Sequence, residues 1–168
     1  AMDALTTGIC NVAIGTAALG ASTTGCQNIA IGDTAMGGAV TTGSDNIAIG
    51  RPSGEALTTG LRNVLIGVCA GSALTTACEN VAIGCLALAA STTGNFNIGI
   101  GRGPFRADTT GNDNIGIGRE AFKALTTGAQ NVAIGCKALF VSTTGCLNIA
   151  IGDAAMGAAD TTGINNIA

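Results

Sequence analysis

The sequence predicts an all-β protein, a β-solenoid of the parallel β-roll type with about ten coils of 17 residues. Three observations predict this fold. The motif Thr-Thr-Gly-x-x-Asn-Val-Ala-Ile-Gly recurs along the whole chain, its copies follow at a nearly constant step, and its apolar residues alternate with the two-residue period of a strand. Because no linker interrupts the copies, we expect residues 1–168 to form one repeat array.

The asparagine of the motif defines the step, which is 17 residues seven times and 18 residues twice. A fixed short period is typical of stacked repeats, in which each unit buries its apolar face against its neighbours. We predict that these asparagines form an inward ladder whose amides bond from coil to coil, with an exposed ligand-binding row as the alternative. The ladder residues are Asn11, Asn28, Asn46, Asn63, Asn80, Asn97, Asn114, Asn131, Asn148 and Asn166.

Each coil is predicted to contain two short strands and two corners. Asn-Val-Ala-Ile supplies the main strand, and a second segment such as Ala18-Leu19 supplies the other. A glycine follows the main strand and Thr-Thr-Gly closes the coil, so that both corners are glycine-assisted. Ten such coils would stack to roughly 48 Å, because neighbouring strands lie about 4.8 Å apart.

The main strand is apolar on both faces, with Val12 and Ile14 on one side and Ala13 on the other. A strand that is apolar on both sides is usually covered on both sides, and a 17-residue coil has only one interior. We therefore predict that the small residues meet other copies of the chain, most simply as a homotrimer around one axis. The predicted interface residues are Ala13, Ala30, Ala48, Ala82, Gly99, Gly116, Ala133 and Ala150.

Composition excludes several classes of function. The chain has seven basic and ten acidic residues without a basic stripe along its length, so we expect no nucleic-acid partner. No apolar run reaches membrane-spanning length, so we expect no membrane insertion by this segment. Both ends fall inside a repeat, and we expect the chain to be a segment of a longer fibre.

The residues that usually carry catalysis or bind metals are missing or scattered. The chain has no histidine, its seven cysteines show no Cys-x-x-Cys spacing, and its carboxylates are dispersed, so we predict no enzyme, no metal and no cofactor. We expect the cysteines to be small fillers at variable corners, with disulfides as the alternative. Cys69 and Cys85 are the one in-chain pair in adjacent coils that we consider.

The Thr-Thr-Gly column has two interpretations. Threonine hydroxyls at turns commonly cap backbone groups, which is the structural interpretation that we favour. Alternatively, Thr6-Thr7 and the equivalent pairs in later coils would present a regular surface to ice or to a glycan.

The motif Asn-Val-Ala-Ile-Gly-x-x-Ala-Leu resembles the head repeats of trimeric autotransporter adhesins, the YadA-like left-handed parallel β-roll. Thr-Thr-Gly-x-x-Asn-x-Ala-Ile-Gly is also similar to shaft repeats of phage tail fibres and related bacterial fibre proteins. The resemblance implies a trimeric fibre on a cell surface or virion tail. Its implied role is adhesion or reach toward a glycan or protein receptor, with no catalytic residues to carry over.

Overall fold

The computed structural model describes residues 1–107, 109–158 and 162–168. Within them the chain forms nine strands of three residues each, one per coil, and no helix. The strands are β1 (Val12–Ile14), β2 (Ile29–Ile31), β3 (Ile47–Ile49), β4 (Val64–Ile66), β5 (Val81–Ile83), β6 (Ile98–Ile100), β7 (Ile115–Ile117), β8 (Val132–Ile134) and β9 (Ile149–Ile151).

The nine strands form one parallel sheet in chain order, each pairing with the strand of the next coil. The predicted all-β solenoid is therefore confirmed. The extra residue between β2 and β3 leaves the register intact, because Ala30 still pairs with Ala48. The last repeat adds no tenth strand to the described chain, since Ile164 and Ile167 make only isolated bridges to the coil before them.

The second predicted strand is absent from the described coils, and this part of the prediction was wrong. The segment that follows the strand glycine is a turn, in which Ala17 and Leu19 have φ angles of 52° and 49°. Residues with positive φ curl the chain and prevent an extended run. The backbone still bonds from coil to coil, for example from Leu19 N to Ala35 O at 3.0 Å. We call this segment, residues 16–21 of the first coil and its equivalents, the turn wall.

The glycine after each strand from β1 to β8 is required for two reasons. Gly67 has a φ of +133°, which L-residues rarely adopt, and a Cβ there would lie 2.6 Å from the carbonyl oxygen of Gly84. The glycine of Thr-Thr-Gly differs, because its φ is not positive in any described coil. Ala77 at this corner therefore carries no φ strain, although a Cβ at the equivalent Gly60 would collide with the carbonyl oxygen of Ala77.

The core lies between the strands and the turn wall, and large residues on one wall face small residues on the other. Leu65 of β4 faces Gly54 and Gly71, whereas the other strands carry alanine or glycine at this position. Conversely, a Cβ on Gly116 would lie 2.6 Å from the ring of Phe105, which stacks on Phe122 at a centroid distance of 5.1 Å. A large side chain on one wall thus occupies the space that small residues leave on the other.

Candidate functional site

The candidate site is the outer strand face, which we define as the first and third residues of β1 to β9. The structure places the predicted interface residues on the opposite, inner face, so that their assignment to the outside of the coil was wrong. Seven of these residues are buried within a single chain. The eighth, Ala13, is partly buried and packs against the core. The buried positions are Ala30, Ala48, Ala82, Gly99, Gly116, Ala133 and Ala150.

The narrowness of the coil explains this inversion. A Cβ added to Gly99 would already lie 3.3 Å from both Leu88 and Phe105 of the turn wall. Because the turn wall supplies the bulky core residues, only alanine or glycine fits opposite it in most coils. The branched valines and isoleucines must therefore point outward. These residues were not predicted to form an interface, although the sequence shows a β-branched residue at every first and third strand position.

The outer strand face consists only of valine and isoleucine. It has two columns of nine side chains each, and the eight steps between β1 and β9 give it a length of roughly 38 Å. All eighteen side chains retain exposed surface, up to 59% at Ile14 and 60% at Ile151. A continuous aliphatic surface of this kind is unusual on a monomeric soluble protein and is typical of an interaction site.

The asparagine column forms a ladder of hydrogen bonds beside the strands. In a central coil, Asn97 Nδ2 donates to Gly111 O at 2.8 Å, and Asn97 Oδ1 accepts from the backbone N–H and the Nδ2 of Asn114 at 3.0 and 3.1 Å. These amides are buried from Asn28 to Asn148 and tie the strand to the Thr-Thr-Gly corner of the next coil. The side chains hold the array in register and have no surface to offer a ligand.

The two threonines of each Thr-Thr-Gly corner have different environments. The first donates its hydroxyl to the next coil in several turns, for example from Thr58 Oγ1 to Thr75 O at 3.0 Å, whereas Thr41 and Thr109 are fully buried. The second threonine is exposed in all ten corners, from Thr7 to Thr162. The corner therefore presents one column of exposed hydroxyls along the array; Thr161 lies outside the described residues.

Three cysteines continue a second side-chain ladder that the sequence did not reveal. The sulfur of Cys78 accepts a hydrogen bond from Leu61 N at 3.4 Å, and Cys26 and Cys146 repeat this contact in their own coils. In the coil that follows Cys78, Asn95 Oδ1 accepts from Cys78 N at 2.8 Å in the same way. All seven cysteines are free thiols, including Cys69 and Cys85.

Charged residues lie on exposed corners. Arg62 Nε donates to Glu79 Oε1 at 3.2 Å in the next coil, and this hydrogen bond raises the pKa of Arg62. Arg51 and Asp33 form a similar ion pair at 3.2 Å. Exposed pairs of this kind add little stability, although they favour the observed stacking register.

Neither a metal-binding group of three or more ligands nor a helix long and apolar enough to cross a membrane is found in the described part of the chain. Comparison with protein-family models, with curated proteins and with solved structures returned no match.

Proposed function

We propose that this chain is a structural and adhesive fibre segment, in which three copies pack their outer strand faces around a common axis. The segment would extend from a bacterial surface or a phage tail and would present or support receptor binding. The observation that carries the proposal is the unpartnered outer strand face, with valine or isoleucine at all eighteen positions. Burial of such a surface is favourable at about 25 cal/mol per Å² of apolar area.

The regularity of this face favours another copy of the chain as its occupant. The same pair of aliphatic side chains repeats at every strand step, so a matching partner needs the same rise over the same length. A second copy of the chain has the same rise per coil, because it has the same sequence. A globular partner would match such a uniform ridge at only a few steps.

A threefold arrangement uses both columns of the face. The first and third strand positions form two parallel columns, for example Val64 with its equivalents and Ile66 with its equivalents. Around a threefold axis each column can face a different neighbour, so all three chains contribute the same contacts. With this cyclic symmetry every outer strand face is occupied, so no further chain can add around the axis. The assembly can then extend only along the fibre axis.

Light scattering of purified protein tests the proposal together with lysine substitutions on the outer strand face. We expect the native chain to have three times its monomer mass, and Ile66→Lys with Ile100→Lys to yield a smaller species, because a buried unpaired charge is costly. Ala89→Lys is the matched control, since Lys123 occupies the equivalent position of another coil. A monomeric native chain, or dissociation by the control alone, would contradict the proposal.

The exposed threonine column supports a second candidate function, the binding of ice or of a neutral glycan. Its support is that the second threonine is exposed in every coil from Thr7 to Thr162 at a constant rise. Among the described first threonines, all except Thr6 are buried or half-buried, and several donate to the backbone of the next coil. One row matches a linear ligand better than a two-dimensional lattice.

A further inference from the structure

Five of the seven basic residues of the chain lie within residues 102–137. They are Arg102, Arg106, Arg119, Lys123 and Lys137, and all of them retain exposed surface. The other two, Arg51 and Arg62, each pair with a carboxylate of an adjacent coil. Among the five, the described residues show one ion pair, between Lys123 and Glu120 at 3.6 Å. Asp108 lies outside the described residues.

A groove of about 580 Å³ runs beside these cations. Its lining comes from the same two positions of three consecutive coils, and we call it the basic groove. The lining residues are Arg106, Ala107, Lys123, Ala124, Phe140 and Val141. Two coil steps give the lining a height of roughly 10 Å.

The ring of Phe140 contacts two lysine ammonium groups at one end of the basic groove. The ammonium of Lys123 lies 4.7 Å from the centre of its ring, and that of Lys137 lies 5.4 Å from the same centre. Each cation is attracted to the negative face of the ring, which opposes the repulsion between the two ammonium groups. The two lysines are thus held together before any anion arrives, and this preorganisation favours anion binding. Arg106 lines the same groove.

Arg119 is a further cation of the coil that contains Lys123. Its guanidinium donates to Cys136 Sγ at 3.2 Å, a hydrogen bond that raises the pKa of Arg119 and orients the side chain. Guanidinium groups present planar paired donors that suit carboxylate and sulfate oxygens.

We propose that the basic groove binds an acidic oligosaccharide, one that carries carboxylate or sulfate groups on successive sugar rings. Arg106 and Lys123 line the groove one coil step apart, and the rest of the lining is apolar. Single-stranded nucleic acid fits less well, because bases need open aromatic faces and the one ring of the groove already faces two ammonium groups. The net charge of −3 also disfavours a long, densely charged polyanion.

The basic groove remains open in the proposed fibre. The strands and the turn wall face each other across the core, as Gly99 and Phe105 do. Their outer surfaces therefore point in opposite directions. Arg106, Lys123 and Phe140 occupy the fifth position of the turn wall in their coils, next to the core position of Phe105 and its equivalents, and all three retain exposed surface. The inference rests on the adhesive part of the proposed function, whereas it does not depend on the threefold packing.

Fluorescence anisotropy with the full chain tests this site. The probes are a sulfated hexasaccharide, a hexamer of uronic acid, a neutral hexasaccharide and a single-stranded oligonucleotide of equal charge. The test variant combines Arg106→Ala, Lys123→Ala and Lys137→Ala, and the matched control combines Arg51→Ala with Arg62→Ala. Alanine occupies equivalent positions at Ala89 and Ala17, where Ala17 has the same positive φ as Lys137, so the fold tolerates these changes.

We expect one or both acidic oligosaccharides to bind, the test variant to lose at least tenfold in affinity, and the control to lose less than twofold. Binding should weaken as salt rises, because the screening length falls from about 10 Å at 0.1 M to about 3 Å at 1 M. Tighter binding of the oligonucleotide, equal binding of the neutral sugar, an unaffected test variant or no binding of either acidic probe would each overturn the inference. Light scattering on the same samples separates this outcome from failure of the trimer.

Discussion

Gly71 and Leu65 occupy one shared volume of the core, since a Cβ added to Gly71 would lie 2.7 Å from Cδ2 of Leu65. In three other coils the arrangement is reversed, with alanine on the strand and leucine on the turn wall, as at Ala82 and Leu88. The two arrangements fill the same space from opposite sides.

A reciprocal exchange tests this compensation. Leu65→Ala should lower the free energy of unfolding by about 2–5 kcal/mol, because it leaves a cavity between two glycines. Gly71→Leu alone should also destabilise the chain through overpacking. Combined, the two substitutions should recover most of the loss, since Leu88 shows that leucine adopts the required positive φ. Denaturant titration at fixed protein concentration measures all three variants, and additive losses in the double variant would contradict the shared volume.

The glycines that follow the strands provide a second prediction, which separates the cost of an unfavourable φ from the cost of steric crowding by the next coil. Gly67→Ala should be strongly destabilising, because its Cβ would meet Gly84 O at 2.6 Å and its φ is +133°. Gly152→Ala has a similar φ of +138°, but the nearest atom to its Cβ is Ala155 Cβ at an ordinary 3.8 Å. We expect the loss in thermal midpoint at Gly67 to be clearly the larger. Equal losses would mean that stacking contacts are unimportant at this corner.

The asparagine ladder provides a third prediction. Asn97→Ala removes three hydrogen bonds to two residues of the next coil and leaves buried backbone groups without partners. We expect a loss of about 2–5 kcal/mol, because each unsatisfied buried group costs about 1–3 kcal/mol. Asn166→Ala is the control, since this residue is exposed at the last repeat and should change stability by less than about 1 kcal/mol. Comparable effects at both positions would argue against a structural ladder.

The threonine column provides a fourth prediction, which separates the two candidate functions. If the exposed hydroxyls bind ice, the protein should show thermal hysteresis, and replacement of Thr59, Thr76 and Thr93 by lysine should abolish it. The fibre proposal instead predicts no hysteresis and an unchanged assembly mass in this variant. These side chains are exposed, so the substitutions should leave the core intact.

The solenoid itself could be predicted from the sequence, because a constant repeat step and alternating strand residues constrain the topology strongly. The details that depend on the width of the coil could not. Whether Ala30 or Ile31 points inward is decided by how much space the turn wall leaves, and the turn wall was itself assigned as a strand. No nearby residue type indicates the positive φ of Leu19, and leucine itself rarely adopts such an angle. The same holds for Leu88 and Leu139.

The inward placement of the small residues changes the surface that an assembly would use. The proposed interface now consists of Val64, Ile66 and their equivalents, which are larger and more apolar than alanine. The strands still have one apolar face outside the coil, and this face is more hydrophobic than a row of alanines would be.

The molecular mass in solution, measured by light scattering across a range of protein concentrations, tests the central proposal most directly. A trimer should have three times the 16.2 kDa of one chain, with the outer strand face protected from solvent. A stable, soluble species of 16.2 kDa at every concentration would show that this aliphatic face needs no second copy, and would contradict the proposed fibre.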